Sequence, residues 1–586
     1  MSDTGLDMSS LSKPIKEIEK VGDWIPRQAY DYQAYTAQKD ADHPRGAPYG
    51  QWAASGARYE WKEEFGDVAP RDERLEKMLF GDDDNDEPHG AGLDFSKLFQ
   101  LKVDIEGVKK PEPISEFKDA GLHPIMLENV QLCKYDKPTP IQRYCIPSVM
   151  QGYDLLSCAQ TGSGKTAAFL IPILSKLMGK AKRLAAPRPS ADASRTYTAE
   201  PLVLIVAPTR ELATQIFDEC RRFCYRSMLR PCVVYGGADS TTQKLELGKG
   251  CDVLVGTPGR LNDFLERGRI LSLRRIKFVV IDEADEMLDM GFEPQIRKIL
   301  EASDCNQDDD KQVMMFSATF QKPVRKLAAD FLADDFVQIK VGRIGSTHNN
   351  ITQHVLWVDD AKKKAAVYDL LCNAPPARTL IFVNHKRTAD ALDDYLYNLK
   401  LPTTSIHGDR TQREREDALI AFRSGKCPIL IATGVASRGL DIKNVMHIIN
   451  YDMVSNIDEY IHRIGRTARI GNHGLATSFF NDSNADIGEN LVKILIENGQ
   501  EVPDFLEQYR PDGEINWDEP DSDDEAAPGF DDPTGGFGVG LTAGSAGDDW
   551  GNGGAATTDE WNTGNDSGAA ADAWGSGGAD TNGGGW

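Results

Sequence analysis

Cysteine pairs and long apolar runs are absent from this sequence, which excludes several large classes of protein. None of the ten cysteines belongs to a Cys-x-x-Cys pair and the ten histidines show no metal-ligand spacing, so we expect free thiols in a reducing compartment. No segment approaches the roughly 20 apolar residues of a membrane span, and the first residues show no apolar run of a secretory signal. We therefore expect a soluble, intracellular protein with no membrane partner.

Basic residues are missing from one end of the chain. After Arg510 there is no Lys or Arg, whereas 17 Asp and Glu follow it. The net charge of the chain is −25, but the part before this tail has 66 basic and 74 acidic side chains. Because the local field on one face governs nucleic-acid binding, the net charge excludes no such partner. Residues 511–586, rich in Gly and Asp with recurring Trp, are predicted to be a disordered low-complexity tail.

Regular apolar periodicity is also weak over residues 1–90, so we predict a disordered N-terminal extension there. One exception lies at residues 71–80, where Leu75, Met78 and Leu79 recur at helical spacing and predict a short amphipathic helix. Residues 93–108 carry enough apolar side chains to dock on a neighbouring domain.

Strand-like and helical runs alternate twice between these ends. Strands rich in Val, Ile and Leu, separated by helices, indicate parallel sheets covered on both faces. We predict one α/β domain over residues 91–340 and another over residues 351–510, joined near residues 340–350. The predicted strands are residues 154–158, 202–207, 232–235, 253–256, 278–281 and 313–316 in the first domain, and 380–383, 429–431, 445–450 and 477–480 in the second.

A glycine-rich turn joins the first predicted strand to a helix and matches a phosphate-binding loop, except that Ala159 occupies the position of the usual first glycine. Its inner glycines let the backbone approach an anion, and the amides at the helix start point at that anion. The lysine can reach the outer phosphates, and the threonine hydroxyl after it can bind Mg²⁺. The predicted contacts are Thr161, Gly162, Ser163, Gly164, Lys165 and Thr166.

Two carboxylates follow the predicted strand at 278–281. Asp282 is placed to contact the same Mg²⁺, largely through water, and Glu283 can position or deprotonate a water that attacks the γ-phosphate. A phosphate loop with these carboxylates downstream predicts nucleoside triphosphate hydrolysis.

The letters of Asp282-Glu-Ala-Asp285 spell DEAD, and the region from about 115 to 505 resembles a DEAD-box RNA helicase. The family's other blocks follow in its order at residues 135–142, 208–213, 236–237, 257–260, 317–319, 412–415, 432–441 and 462–469. Residues 74–80, 407–412 and 436–441 resemble the Vasa subfamily and its translation-initiation relatives most. The resemblance implies two tandem RecA-like domains, which are parallel sheets flanked by helices, with disordered tails.

The resemblance also implies an ATP site with Mg²⁺ between the two domains. Tyr135 would stack on adenine, and the amide of Gln142 would donate to and accept from its edge. Lys137 lies in the same block. From the second domain, Asp441 would accept from the ribose, and Gly439 would also bind the nucleotide. The predicted catalytic residues are Lys165, Asp282, Glu283, His462, Arg466 and Arg469, with Asp285, Ser317 and Thr319 coupling the two ligand sites.

For RNA the resemblance implies contacts to the backbone, because the glycines and hydroxyls involved offer no code for base edges. A helix after Arg260 would bend the bound strand, so that closure unwinds a few base pairs. The predicted contacts are Pro208, Thr209, Arg210, Gly236, Gly237, Thr257 and Arg260 in the first domain, and Asn384, Gly408, Arg415 and Thr433 in the second.

We therefore expect a monomeric, cytoplasmic, ATP-dependent RNA helicase that acts in translation initiation or messenger ribonucleoprotein metabolism, with protein partners recruited through the tails. Granule association and nuclear shuttling stay open. Two alternatives remain: an RNA clamp or condensate scaffold with slow hydrolysis, and a DNA-directed ATPase. Three departures from the family pattern, Gly434, Val454 and Ala468, bear on the rate of turnover.

Overall fold

The fold is described from a computed structural model, which covers residues 68–81, 102–160, 162–178, 180, 184, 198–302, 305, 311–342, 350–373, 377–434, 445–468 and 473–511. Most of both predicted tails lies outside these ranges. The described residues form two separate sheets, one of eight strands and one of six. They are the two RecA-like α/β domains expected from the sequence.

The first sheet has the strand order β1-β8-β2-β7-β6-β3-β5-β4. Every neighbouring pair is parallel except β1 and β8, which are antiparallel, so the expected purely parallel sheet carries one antiparallel edge strand. Its strands are β1 (Val103–Glu106), β2 (Leu155–Ala159), β3 (Val203–Val206), β4 (Pro231–Val234), β5 (Val253–Gly256), β6 (Phe278–Ile281), β7 (Gln312–Ser317) and β8 (Val337–Val341).

Helices cover both faces of this sheet because successive side chains of each strand point in opposite directions. Val203 and Ile205 of β3 enter one apolar core, whereas Leu204 and Val206 enter the other. The helices are α1 (Glu73–Phe80), α2 (Pro124–Leu132), α3 (Pro140–Gln151), α4 (Lys165–Met178), α5 (Arg210–Phe223), α6 (Ser240–Gly248), α7 (Pro258–Glu266), α8 (Ala284–Asp289), α9 (Glu293–Leu300) and α10 (Lys322–Phe331), with a 3₁₀ turn at Phe117–Ala120.

The second sheet is wholly parallel, in the order β11-β12-β10-β13-β14-β9, and is also buried on both faces. Its strands are β9 (Ile351–Trp357), β10 (Thr379–Val383), β11 (Thr403–Ile406), β12 (Ile429–Thr433), β13 (His447–Asn450) and β14 (Gly474–Phe480). The helices are α11 (Lys363–Asn373), α12 (Lys386–Asn398), α13 (Gln412–Arg423), α14 (Ile457–Ile464) and α15 (Gly488–Glu497), with 3₁₀ turns at Asp360–Lys362, Asp482–Ile487 and Asp504–Tyr509.

Helix α1 confirms the amphipathic helix predicted at 71–80, and it packs onto the first domain. Leu75 and Leu79 form a small apolar cluster with Tyr225 just after α5. The Tyr225 hydroxyl donates to Glu76 and accepts from the backbone N–H of Asp72. These contacts tie the segment that precedes the core to the end of α5.

The ten strands predicted from the sequence are all present, within three residues at their ends. Four strands were missed: β1, β8, β9 and β11. β1 (Val-Asp-Ile-Glu) alternates apolar and acidic side chains, and β11 (Thr-Thr-Ser-Ile) is mostly polar, so neither shows the apolar run used for prediction. β8 lies across the end of the predicted first domain, and its pairing with β2 makes it part of that domain.

All ten cysteines are free thiols, as expected, and nine of them are buried. Among the described residues, no helix is both long and apolar enough to cross a bilayer.

Acid should destabilise the second domain through His447, which is 3% exposed on β13. Burial, and then the nearby His354, lowers the pKa of His447 from 6.5 to about 4. A depressed folded-state pKa contributes stability that is complete above pH 6.5 and is lost as the pH falls toward 4, here about 3 kcal/mol. Hydrogen exchange of peptides from β13 and β14, measured in urea across this range, should show the loss.

The exchange profile of His447→Asn should depend much less on pH than that of the wild type, because the titrating ring is gone. His473→Asn, which replaces an exposed histidine, is the control and should behave like the wild type. Equal pH dependence in all three proteins would contradict the assignment to His447.

Candidate functional site

The predicted site residues follow the carboxyl ends of the strands, where parallel α/β sheets bind ligands. In the first domain, β2 leads into the phosphate loop and β6 into the DEAD segment, while β3, β4 and β5 lead into the predicted RNA segments. In the second domain, β10, β11 and β12 end beside Asn384, Gly408 and Thr433. The topology therefore gathers each domain's predicted residues on one edge of its sheet.

The phosphate loop is held in shape by residues of α3. Gly162 and Gly164 have φ values of 77° and 91°, which only glycine adopts without strain. Thr139 donates to the carbonyl of Ser163 at 2.8 Å, and the side-chain amide of Gln142 donates to the carbonyl of Gly164 at 3.1 Å. A Cβ at Gly164 would lie 2.6 Å from Gln142 Nε2, so this contact also requires glycine.

Lys165 begins α4 and is 8% exposed. Its Nζ donates to the carbonyls of Ala159 at 2.9 Å and Ser317 at 3.4 Å. Two strand ends therefore fix the ammonium beside the loop, where it can meet a phosphate. The Oγ of Ser163 in the same loop is buried and has no hydrogen-bond partner among the described residues. This hydroxyl can therefore donate to a phosphate oxygen.

Asp282 and Glu283 are buried together at the end of β6. Burial first, and then the charge of Glu283, raises the pKa of Asp282 to about 7. Glu283 has φ 53° and ψ 54°, an uncommon conformation for a residue with a side chain and one often found at functional sites. Its Oε2 has no hydrogen-bond partner in the described structure, which leaves it available to a water.

A magnesium ion fits this carboxylate site, because Asp282 is a buried oxygen ligand beside Glu283 and the nearby charge of Lys165 does not offset the rise in its pKa. Asp282 and Thr166 would hold the ion, which would neutralise charge on the phosphates. Within the described ranges, no group of three or more His, Cys, Asp or Glu side chains is arranged to hold a metal.

Asp285 is the best satisfied carboxylate of the site. Its Oδ2 accepts from the backbone N–H groups of Ala318 at 3.0 Å and Thr319 at 2.9 Å, and from the Thr319 hydroxyl at 3.0 Å. Burial alone would raise the pKa of Asp285, but His462, Lys165 and the hydrogen bonds, including one with Ser317, hold it below the ordinary value. The expected bonds of Ser317 and Thr319 to Asp285 are present.

Helix α14 of the second domain meets this carboxylate cluster. His462 Nε2 lies 3.9 Å from Asp285 Oδ2, and its Nδ1 lies 3.8 Å from Glu286 Oε1. Arg466 lies 3.6 Å from the same Glu286 oxygen. Burial lowers the pKa of His462, and the charge of Asp285 opposes this effect. The two domains thus complete one site, and sequence reasoning had not included Glu286 in it.

At the predicted adenine site, the amide of Gln142 differs from the expectation, because it binds the protein itself. Tyr135 is half-buried and stacks on Phe223 with ring centroids 6.2 Å apart, which leaves its role toward adenine a prediction. Gln142 is 1% exposed, and its Oε1 accepts from the backbone of Thr139. Because both ends of this amide already bind protein, it supports the phosphate loop before any base arrives. Lys137 is exposed.

Four predicted ATP-site residues lie outside the described ranges, namely Thr161, Gly439, Asp441 and Arg469. Their roles stay predictions.

Arginines cluster at the predicted RNA surface of the first domain. The guanidinium of Arg210 packs against Gly237, and a Cβ at Gly237 would lie within 2.6 Å of that guanidinium. This close approach explains the glycine at position 237. Burial, and then the charge of Arg415, lowers the pKa of Arg210, which marks a concentrated positive field. Arg260 is held by the Ala238 carbonyl and the Phe264 ring, yet its Nη1 has no partner among the described residues. Phosphate oxygens fit such donors.

Two helix N-termini face the same surface. Thr209 caps α5 by accepting from Leu212 N–H, and Pro208 is buried before it. Thr257 is the N-terminal cap of α7, without a side-chain bond to that helix. Free amides at helix starts attract phosphate, which supports backbone contacts at these positions.

Predicted RNA residues of the two domains also contact each other's domain. Arg415 Nη2 lies 2.6 Å from Glu211 Oε1, and Arg210 Nη1 donates to Gln412 Oε1 at 2.6 Å. Glu211 and Gln412 were not predicted as site residues, because sequence alone does not show which side chains face each other between domains.

In the second domain, the side chain of Asn384 is fully engaged, with bonds to Met453 O and Arg463 Nη2. A Cβ at Gly408 would meet no atom within 4 Å, and Thr433, the last residue of β12, is half-buried. These three lie on one sheet edge, where an extended strand of nucleic acid can pass.

The departures from the family pattern have local explanations. A Cβ at Gly434 would lie 2.5 Å from Glu459 Oε1, and Glu459 already pairs with Arg463 at 2.8 Å. Val454 is buried in an apolar core that suits it. Ala468 has φ 53°, so alanine costs about 1 kcal/mol relative to glycine at this position.

These features define a nucleotide hydrolase built from two RecA-like domains whose active site needs both. A DEAD/DEAH box helicase domain model matches residues 139–327, and a helicase conserved C-terminal domain model matches residues 362–471. The chain belongs to the DEAD-box helicase family, and it is an ATP-binding, RNA-dependent ATPase of the helicase type.

Several solved structures are similar to this chain. Dbp5 of S. cerevisiae, bound to RNA and ADP BeF3, is 28% identical with a TM-score of 0.56, over 66% of this chain and 95% of its own. The yeast splicing factor Prp28 is 31% identical over 75% of this chain and 96% of its own, with a TM-score of 0.40. A DEAD box protein of Methanococcus jannaschii is 34% identical over 66% and 98%, with a TM-score of 0.38.

Replacing Gly164 with alanine should weaken nucleotide binding at least about tenfold, because the new Cβ meets Gln142 and φ 91° strains alanine. Titration with a fluorescent ATP analogue measures this. Gly248→Ala is the matched control, since a Cβ there meets nothing within 4 Å, and it should bind within twofold of the wild type. Equal affinities of the two variants would contradict the loop geometry described here.

Proposed function

We propose that this helicase binds ATP·Mg²⁺ and single-stranded RNA between closing domains, unwinds short duplexes locally and remodels RNA–protein complexes in translation initiation or messenger ribonucleoprotein metabolism. It acts as a monomer in the cytoplasm, without sequence preference, and its tails recruit protein partners. Binding of ATP and RNA favours closure; hydrolysis and phosphate loss release the RNA.

One observation carries the proposal: a single arrangement of the domains makes both cross-cleft interfaces. His462 and Arg466 reach Asp285 and Glu286 at the nucleotide site. Arg415 reaches Glu211 at the predicted RNA surface. Because one closure forms both contacts, a ligand that stabilises either interface favours the other.

The pathway and location rest on resemblance. Helix α1, with its sequence Glu-Arg-Leu-Glu-Lys-Met-Leu-Phe, supports the Vasa-type assignment and its translation-initiation relatives, since it packs on the core beside Tyr225. The similar structure of Dbp5 is bound to RNA, which supports RNA as the ligand of this chain.

Steady-state ATP hydrolysis with and without single-stranded RNA should show strong stimulation by RNA. Glu283→Gln should lower the stimulated rate about 10²- to 10⁴-fold, because the amide cannot accept a proton from water. The variant should still bind RNA with ATP present, which shows that it is folded. Glu301→Gln, an exposed change at the end of α9, is the control and should match the wild type.

Hydrolysis indifferent to RNA would contradict coupling between the domains. Multiple-turnover unwinding distinguishes the helicase from an RNA clamp or condensate scaffold, which would bind RNA and hydrolyse ATP without repeated strand separation. Competition between RNA and DNA strands of identical sequence tests the DNA-directed alternative.

The translation role has a separate test in a cell-free extract depleted of this protein. Adding back the wild type should restore a reporter with a structured 5′ leader more than one with an unstructured leader, and Glu283→Gln should restore neither. Equal restoration of both reporters would contradict a role in initiation.

A further inference from the structure

One hydrogen bond between the domains uses no residue predicted to contact ATP or RNA. Gln321, the residue before α10, donates from Nε2 to Asp458 Oδ2 of α14 at 2.7 Å. The bond is partly buried, and its acceptor is a carboxylate, which makes it stronger than a bond between neutral groups.

Gln321 lies next to the segment that couples the ligand sites. Thr319, two residues earlier, bonds Asp285 through both its backbone N–H and its hydroxyl. The Gln321 side chain makes no capping bond to its own helix. Its position is therefore explained by the contact with the second domain and not by the local helix start.

Asp458 of the second domain, like Gln321 of the first, lies close in sequence to a residue of the nucleotide site. It lies one helical turn before His462, so the two side chains share a face of α14. An acidic residue in the first turn also favours the helix dipole, which is the ordinary structural explanation for an Asp there. The cap of α14, however, is made by Asn456, which accepts from Asp458 N–H at 2.8 Å, so the carboxylate is directed to Gln321.

The other contacts between the domains involve residues predicted to bind RNA or to act in catalysis. Arg210 and Arg415 are predicted to contact RNA, and His462 and Arg466 are predicted catalytic residues. The bond between Gln321 and Asp458 can form with either ligand present, since neither residue belongs to those sets. It joins the coupling segment of the first domain to the helix that carries His462.

We propose that Gln321 and Asp458 are positioning residues that form an interdomain latch, which sets the closure equilibrium and thereby the apparent RNA affinity of the ATP-bound protein. The predicted effect on RNA affinity rests on the proposed function. A latch that favours closure raises the fraction of binding-competent protein, so the RNA concentration for half-maximal ATPase falls in proportion.

Fluorescence energy transfer between dyes at two exposed positions, Leu245 and Asn398, reports closure in the full-length protein. Gln321→Glu sets two carboxylates against each other and should lower the closed fraction and raise the half-saturating RNA concentration about tenfold. Gln321→Lys creates an ion pair and should shift both in the opposite direction. At saturating RNA, the ATPase rate of both variants should stay within twofold of the wild type.

Gln508→Glu makes the same chemical change at an exposed site of the second domain and should leave both readouts unchanged. The decisive variant is Gln321→Glu combined with Asp458→Asn, which exchanges donor and acceptor and should restore closure and RNA affinity. A merely structural role predicts no such rescue. Gln321→Glu behaving like Gln508→Glu, or failure of rescue in a double variant with wild-type melting temperature, would overturn the latch.

The two proposals fail separately. If the wild type showed no stimulation by RNA, the proposed coupling would be wrong, whereas energy transfer in the ligand-free protein would still show whether the Gln321 variants shift closure.

Discussion

The buried carboxylate of Asp285 is the interaction on which the active site depends. Three donors from the turn after β7 converge on one of its oxygens, and His462 of the second domain approaches the same oxygen at 3.9 Å. A buried anion of this kind is stable only while its donors stay in place. The Asp285 position therefore depends on the turn after β7, and the placement of His462 depends on the domains being closed.

Around this carboxylate the protein keeps several groups ready for ligands. Lys165 is held by two carbonyls, Gln142 supports the loop, and Glu283 stays strained with an oxygen that bonds nothing among the described residues. Such preorganisation means that little rearrangement is needed in the first domain when ATP arrives. The pairs Arg415–Glu211 and Gln321–Asp458 hold the two domains together.

Much of this could be predicted from the sequence because its signals are local. Apolar strands, a glycine turn before Lys165 and acidic residues after β6 follow from neighbouring residues. The second α/β domain was likewise found from alternation. Two of the strands that were missed, β1 and β11, lack a continuous apolar run, and β11 joins the sheet through its pairing with β12.

Two cross-domain contacts, Arg415–Glu211 and Gln321–Asp458, could not be predicted, because they join residues more than a hundred positions apart. Nothing in the stretch around Glu211 indicates that Arg415 will meet it, and nothing before α10 indicates Asp458. The conformation of Ala468 also needed the structure, which shows φ 53°.

The most direct test of this account is a double-mutant cycle on RNA-stimulated hydrolysis with Asp285→Asn, His462→Gln and the two together. If Asp285 and His462 act as one unit across the cleft, the double variant should be no slower than the slower single variant. Independent effects that multiply in the double variant would contradict the claim that domain closure completes the site through this pair.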